Sequence, residues 1–403
     1  MNIILSVLIA TKNRQKYCLN AVESILSLPD TNMEVVVQDN SDDRNLEALL
    51  EKFSSDKRLV YQYTPPPFSS IANFNAALDL ASGEYVCLIG DDDGINPEIF
   101  TATQWAKDND VDALVGNIAA NYRWEGTGAP DTMFTKMTGG TLTIEEFNGK
   151  AKEINIEQSL DLLMANGCTN YLEFPFPKLY HGIVRKSCLD KIKEDTGAFI
   201  KGLSPDMYSA ISLSCYVNKL IHIDYPLTLP GVCGQSTSIT EGQLKKHSKK
   251  IEDAPHFRDR GPYEWSKEVP RIYCVQTIWA DSCFAALREM GRLDLIAKFN
   301  KYRLYANIIA ADKSLMPMVE SHVENESGNA KTMEMRKVRK EYLKGPIVKF
   351  LKNRALSRLK IITGLKKLVV LNDLPDIESA MHALTKHLKK TEINILGKLS
   401  SIR

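Results

Sequence analysis

The chain has 403 residues, of which 44% are hydrophobic and 25% charged. Those proportions exclude a disordered chain, a collagen-like chain and a disulfide scaffold. The total charge of +1 conceals a split, with residues 331–403 carrying +12 and residues 1–330 carrying −11, so the tail is expected to touch something anionic, either membrane headgroups or nucleic acid.

The first 120 residues read as alternating strands and helices. Residues 3–10 form an apolar, β-branched run, and residues 15–28 carry Leu19, Val22, Ile25 and Leu26 at helical spacing. Strands are predicted at 34–38, 59–63, 85–89 and 112–118, and helices at 46–53 and 70–82, with Gly83 as the cap of the second and Pro97 opening the next. Apolar strands with helical crossovers mean an α/β fold whose mostly parallel sheet is covered on both faces. Residues 119–150 look irregular. A helix is expected at 157–165, a short strand near 179–184, a helix from Lys186, a helix at 205–217 and a strand at 220–223. Residues 231–262 read as a mobile polar loop. From Pro270 the pattern turns helical, at 270–290 and 292–311, and the basic tail follows.

The eight cysteines show no C-x-x-C and no paired Cys/His spacing, against structural zinc and disulfides and in favour of reduced thiols in the cytoplasm. The apolar run at 3–10 is too short and lacks the basic flank of a signal peptide. No apolar stretch reaches the length that spans a bilayer.

Ligands of an open parallel sheet bind outside the carboxyl ends of its strands, so the polar residues at those ends come first. The first strand ends in Thr11-Lys12-Asn13-Arg14, and a plain turn with Thr11 or Asn13 as helix N-cap competes with a binding role. The second ends in Asp39-Asn40-Ser41-Asp42, where an Asx turn competes with contact to a base or ribose. The fourth ends in Gly90-Asp91-Asp92-Asp93-Gly94. Three adjacent carboxylates repel, and a hard divalent cation, Mn²⁺ or Mg²⁺, relieves that repulsion. If strand geometry persists, Asp91 and Asp93 share a side and Asp92 points away. Finally, Ser204-Pro205-Asp206 reads completely as a helix start, with Ser204 as N-cap and Pro205 at N1.

In order and spacing, these segments resemble family 2 glycosyltransferases with the GT-A fold. The residues that carry the resemblance are Ser6 to Arg14, Val37 to Asp42, Asn73 to Ala77, Ala81 to Val86, the Asp cluster, His181 to Lys186, and Asp206. It covers residues 3–235 and departs from the family pattern at Gly90, where the family usually has an Asp, and at Pro205, where an acidic residue usually precedes the catalytic one. The resemblance implies a GT-A domain over residues 1–265, with a nucleotide-sugar half at 1–118 and an acceptor half with a lid loop at 119–265. Residues 266–403 would be a helical, basic extension. By the same resemblance, Thr11, Asn13 and Arg14 line a nucleotide pocket, Asp39 faces the base, and Asn73 sits near the ribose or diphosphate. Asp91 approaches the ribose or the metal, Asp92 and Asp93 share the metal and the donor sugar, and Asp206 is the general base.

The implied reaction is metal-dependent, inverting transfer from a nucleotide diphosphate sugar to a hydroxyl of a glycan or lipid-linked acceptor, as in bacterial surface-polysaccharide synthesis. A non-catalytic nucleotide-sugar or polysaccharide-binding protein and a sugar-phosphate nucleotidyltransferase are the competing readings. Gly231, Gly234 and Gly242 would let the polar loop bend over the donor, Lys245, Lys246, Lys249 and Lys250 would meet its diphosphate, and His247 would complete a metal site, against a solvated basic loop. Residues 344–371 alternate apolar and basic groups at helical spacing, as an interfacial helix on an anionic membrane does; a packed helix or a dimer contact competes. Such a protein would be cytoplasmic, peripheral on the inner membrane face, and without a nucleic-acid partner, since no nucleic-acid module accompanies the charge.

Overall fold

The computed structural model describes residues 3–126, 140–234, 251, 255–349 and 368–402. Its frame is an eight-stranded sheet built from β1 (Leu5–Thr11), β2 (Met33–Asp39), β3 (Leu59–Tyr63), β4 (Tyr85–Ile89), β6 (Ala113–Gly116), β9 (Ala151–Glu153), β10 (Gly182–Arg185) and β11 (Leu220–Ile223). The order is β3-β2-β1-β4-β10-β6-β11-β9. β1 to β4 run parallel, β10 runs against both β4 and β6, β11 is parallel to β6, and β9 closes the edge antiparallel. This is the mostly parallel α/β sheet expected of a GT-A fold.

Alternation along each strand explains the two cores. Leu8, Val36, Val86, Leu88, Ala113, Val115 and Val184 fall in one cluster. Their neighbours Val7, Ile9, Val35, Val37, Tyr85, Cys87, Ile89, Leu114 and Ile183 fall in the other. Successive side chains point to opposite faces, so runs that are apolar throughout need helices on both sides. One face takes α3 (Ser70–Leu80), α5 (Ile156–Ala165), α6 (Lys186–Thr196), α7 (Pro205–Leu213), α8 (Val275–Glu289) and α10 (Lys301–Ala311), the last two joined through α9 (Leu293–Ile296). The helices α11 (Met316–Ser327) and α12 (Lys331–Tyr342) extend that side. The other face takes α1 (Gln15–Leu26), α2 (Asn45–Leu50), α4 (Glu98–Asp108), α13 (Ile377–Thr391) and α14 (Ile395–Leu399).

Several expectations give way to tertiary structure. Residues 119–150 are not all irregular: β7 (Ala120–Arg123) and β8 (Thr141–Ile144) pair antiparallel, flanked by β13 (Gly231–Val232) and β14 (Val369–Leu371). A small ladder of β5 (Gly94–Ile95) with β12 (Thr228–Leu229) follows the Asp cluster. Gly83 is not a helix cap, because α3 ends at Leu80 with Ala81 extended. Gly83 is needed for close approach instead: a Cβ there would lie 2.6 Å from Ser6 Oγ and 2.7 Å from Ser6 N.

The basic tail is not one helix through residue 371, since 369–371 form a strand on β8; residues 350–367 lie outside the described residues. Beyond it, Asp376 caps α13 by accepting from the Ser379 N–H at 2.8 Å. Ile377, Ala380, Met381, Leu384 and Leu388 line one buried stripe of α13, the i, i+3/i+4, i+7 pattern of an amphipathic helix. That stripe lands on the N-terminal half: a Cβ on Gly94 would come within 2.9 Å of both Ile377 and Met381. The Tyr122 hydroxyl donates to the Leu374 carbonyl at 2.8 Å. Among the described residues no helix is long and apolar enough to cross a membrane. The eight cysteines are all free thiols.

Candidate functional site

The carboxyl ends of β1, β2 and β4 lie side by side, because Ala10 and Thr11 are in register with Gln38 and Asp39, and Ile9 with Ile89. Thr11 donates to Asp91 Oδ2 at 2.6 Å, and Asn73, from α3, donates to the Thr11 carbonyl at 3.1 Å. Asn13 is held in the left-handed region at φ 58°. It caps no helix; its amide side chain and the Asp42 side chain and N–H exchange hydrogen bonds of 2.8 and 2.9 Å. Asp39 makes the Asx turn, accepting from both the N–H and the hydroxyl of Ser41 at 2.8 and 2.6 Å, and from Tyr61 at 3.0 Å.

The three aspartates do not alternate as a strand would. β4 stops at Ile89 and residues 90–93 turn, so Asp91 and Asp92 face the same partner. One guanidinium nitrogen of Arg14 lies 2.8 Å from Asp91 Oδ1 and 2.7 Å from Asp92 Oδ1. Asp93 turns the other way. It accepts from the N–H groups of Gly90 and Gly231, each at 2.6 Å, and from the Tyr180 hydroxyl at 2.9 Å, and it pairs with His181 Nε2 at 3.3 Å. Gly90 is what allows this knot, since a Cβ there would lie 2.7 Å from Tyr180 Oη and 2.9 Å from Asp93 Oδ2. Gly231 likewise serves close approach and not bending: its Cβ would fall 1.8 Å from the Asp92 carbonyl.

Burial pushes the Asp91 carboxyl up, to about 7, against the pull of Arg14. Burial also acts on Asp93, but His181 and the two N–H donors outweigh it and hold that carboxyl below its ordinary value. Burial pulls the Arg14 guanidinium down, and Asp91 and Asp92 more than offset that pull.

Asp93 is therefore saturated by protein donors, and the residues that fit a divalent cation are Asp91 and Asp92. Two carboxylate oxygens from adjacent residues converge there on one positive nitrogen, and Asp91 Oδ1 makes no hydrogen bond of its own. A pair of carboxylates completed by phosphate oxygens is the ordinary protein share of a Mg²⁺ or Mn²⁺ site. Among the described residues no three His, Cys, Asp or Glu side chains gather as a ready cage. Buried polar atoms without a hydrogen bond collect at the same rim: Asn73 Oδ1, Arg14 Nε and Gln38 Oε1. Such orphans call for a polar ligand or water.

Asp206 comes from the first turn of α7. Ser204 caps α7, accepting from the Met207 N–H at 3.4 Å, and Pro205 sits at N1, so the helix-start reading holds locally. The carboxyl nevertheless belongs to the site. Burial raises its pKa, tempered by His181, Lys178 and a hydrogen bond with Tyr171. Tyr180 donates to Asp93 and feels the charges of Asp93, Asp92 and Asp206 together, so the aspartate cluster and Asp206 share its surroundings. Tyr180, Lys178 and Tyr171 escaped the sequence reading, and His181 entered it only as a motif marker. The one local sign is strain: His181 has φ 61°, a conformation costing about 1–2 kcal/mol in a non-glycine residue. Gly242, Lys245, Lys246, His247, Lys249 and Lys250 lie outside the described residues.

Residues 6–168 match the family model described as Glycosyl transferase family 2. The glycosyltransferase GlyG of Streptococcus pneumoniae is 24% identical over 148 residues, 36% of this chain and 48% of that relative; the match thus spans about half the relative's length. Two solved structures of S. aureus TarS 1-349, the second in complex with UDP-GlcNAc, resemble the chain at 17% and 15% identity with TM-scores of 0.42 and 0.44, each covering 84% of this chain and 89% of the other.

Proposed function

We propose that the chain, whose residues 6–168 match the model of Glycosyl transferase family 2, transfers a sugar from a nucleotide diphosphate sugar to a hydroxyl of a glycan or lipid-linked acceptor, with inversion, in the assembly of a surface polysaccharide. The observation that carries the reading is the convergence of Asp91, Asp92 and Arg14, all at the sheet rim, with Asp206 near Tyr180. Positive charge builds on the sugar ring as the anomeric bond breaks, and negative charge builds on the departing diphosphate.

Thr11, Asn13, Asp39 and Asn73 line the nucleotide side. Asp91 and Asp92 would hold Mn²⁺ or Mg²⁺, which when bound supplies Lewis-acid stabilisation of the leaving diphosphate. Arg14 brings a fixed positive charge to the same place, desolvated and therefore stronger than in water. Asp206 takes the proton of the acceptor hydroxyl as that oxygen attacks the face opposite the diphosphate. Its raised pKa makes it a better base than an ordinary carboxylate. Asp93 and His181 keep the turn and Tyr180 in place. A cytoplasmic protein working on the inner membrane face, drawn to anionic headgroups by the +12 charge of residues 331–403, fits such an acceptor.

The test is incubation with nucleotide diphosphate sugars and Mn²⁺, following release of nucleotide and gain of one sugar on an acceptor. Release that needs the metal, and that chelation with EDTA stops, supports the reading. Binding of the donor with no release, under any metal, would make the protein a non-catalytic nucleotide-sugar receptor instead.

A further inference from the structure

A row of basic side chains, two lysines and a histidine, runs across the acceptor half and starts near Asp206. Gly182 on β10 is opposite Val115 on β6, Val115 is opposite His222 on β11, and His222 is opposite Lys152 on β9. Residues directly opposite in a sheet point to the same face. Gly182 has no side chain because Lys178 lies over it: a Cβ there would fall 2.0 Å from the Lys178 carbonyl and 3.4 Å from Lys178 Cβ. Lys178, His222 and Lys152 therefore follow one another on one face, at steps of about 5 Å per strand. The line is near the carboxyl ends of β6 and β11, where ligands of such sheets bind. Its inner end is near Asp206, whose charge reaches Lys178.

These basic side chains are poorly compensated. Among the described residues no salt bridge engages Lys152, Lys178 or His222. The nearby Asp224 carboxylate accepts from Asn117 Nδ2 at 2.7 Å and from the Asn148 N–H at 3.0 Å. Glu153 is opposite Ile221, in the next row, and so projects to the other face. Burial holds the His222 pKa down, and Lys152 and Lys178 push it down further against a smaller opposing pull from Asp224, as neighbouring positive charges do. Lys178 and His222 are partly exposed and Lys152 is exposed, so a ligand can reach all three.

We propose that the Lys178–His222–Lys152 row is a subsite for a phosphate group of the acceptor, which presents its hydroxyl to Asp206. The proposal rests on the glycosyltransferase reading and narrows its acceptor to an anionic one. The phosphate belongs to a phosphodiester in the glycan or to the diphosphate of a lipid carrier. Either lies about 5–15 Å from the attacking oxygen.

The experiment uses the full chain with its histidine imidazoles labelled for NMR, the His222 signal being identified by its loss in His222→Gln. A nucleoside diphosphate and Mg²⁺ are first added to saturation, so that the donor side cannot answer for the result. Inorganic phosphate is then titrated in. The His222 signal is expected to shift saturably, and the phosphate affinity to fall at least tenfold in Lys178→Met and in Lys152→Glu. Lys152 is an exposed edge residue, so its variant keeps the test decisive if Lys178→Met fails to fold. A His222 signal that stays put, or one that shifts equally in the variants, overturns the subsite. Glycerophosphodiester and farnesyl diphosphate then compete with phosphate: the better competitor names the source, and failure of both overturns the acceptor assignment. A nucleoside diphosphate that leaves thermal stability unchanged would sink the donor reading separately, since a ligand of the folded state must raise it.

Discussion

The donor and acceptor halves that the proposed function assigns to the site are built in opposite ways. On the donor side, Thr11, Arg14, Asp39, Asp91 and Asp92 stand at or just past the ends of three neighbouring parallel strands, β2, β1 and β4. On the acceptor side, Asp206 opens a helix, Tyr180 and His181 precede a reversed strand, Lys178 crosses over that strand, and Gly231 reaches in from beyond β12. The first set shares one kind of element and one strand direction; the second does not. The donor side is accordingly a set of short motifs, whereas the acceptor side is an assembly with no local signature. Arg14 shows how differently the halves handle charge. The donor half closes its carboxylates on an internal cation in a direct ion pair, while the acceptor half, among the described residues, holds Lys178 and His222 in no salt bridge.

Four substitutions probe that contrast. The largest effect belongs to Asp206→Asn, for which kcat should fall about 10²–10⁴-fold while nucleotide binding by calorimetry persists. The wild-type rate should also drop as pH falls, because the base must be ionised, and this acid limb should lie above the ordinary carboxylate value of about 4 since burial raises Asp206. If the limb survives in Asp206→Asn, another group is the base. Next comes Arg14→Met, which strands Asp91 and Asp92 without their cation. Breaking such a buried pair costs about 3–5 kcal/mol, measurable by urea denaturation, and a saturating divalent cation should restore part of the loss. Unchanged stability in the metal-free variant would mean that Arg14 does not hold the cluster.

Leu384→Ala, on the far C-terminal helix, should cost about 2–5 kcal/mol by leaving a cavity in the core under α13, and it should do so although the helix is remote in sequence from the donor half. A stability loss below 1 kcal/mol would show that α13 is not part of that core. The smallest effect is expected of Gly90→Ala. Overpacking against Tyr180 and Asp93 costs about 1–3 kcal/mol, and it should weaken donor binding more than it lowers the melting temperature. Wild-type donor affinity in that variant would separate the turn from the site.

Residue order alone determined the parallel sheet, because β-branched runs such as Val35-Val36-Val37, apolar on both alternations, are stable only between two helical layers. It also pointed to Thr11, Arg14, Asp91, Asp92 and Asp206, through strand-end position and a family resemblance. It did not reveal that Asp93 is consumed by Gly90, Gly231, Tyr180 and His181, because strand alternation was carried one turn too far past Ile89. Nor did it show β7, β8 and β14, whose ladder hydrogen bonds come from partners more than 200 residues away in the case of β14. Gly83 reads as a helix cap and Gly231 as a hinge in one dimension; only packing shows that each of them, like Gly90, leaves out a side chain where another residue comes close. Local pattern fixes what a segment can become, since periodicity and caps act over a few residues. Which carboxylate meets which cation is settled by distances between remote segments, and those exist only once the sheet has closed.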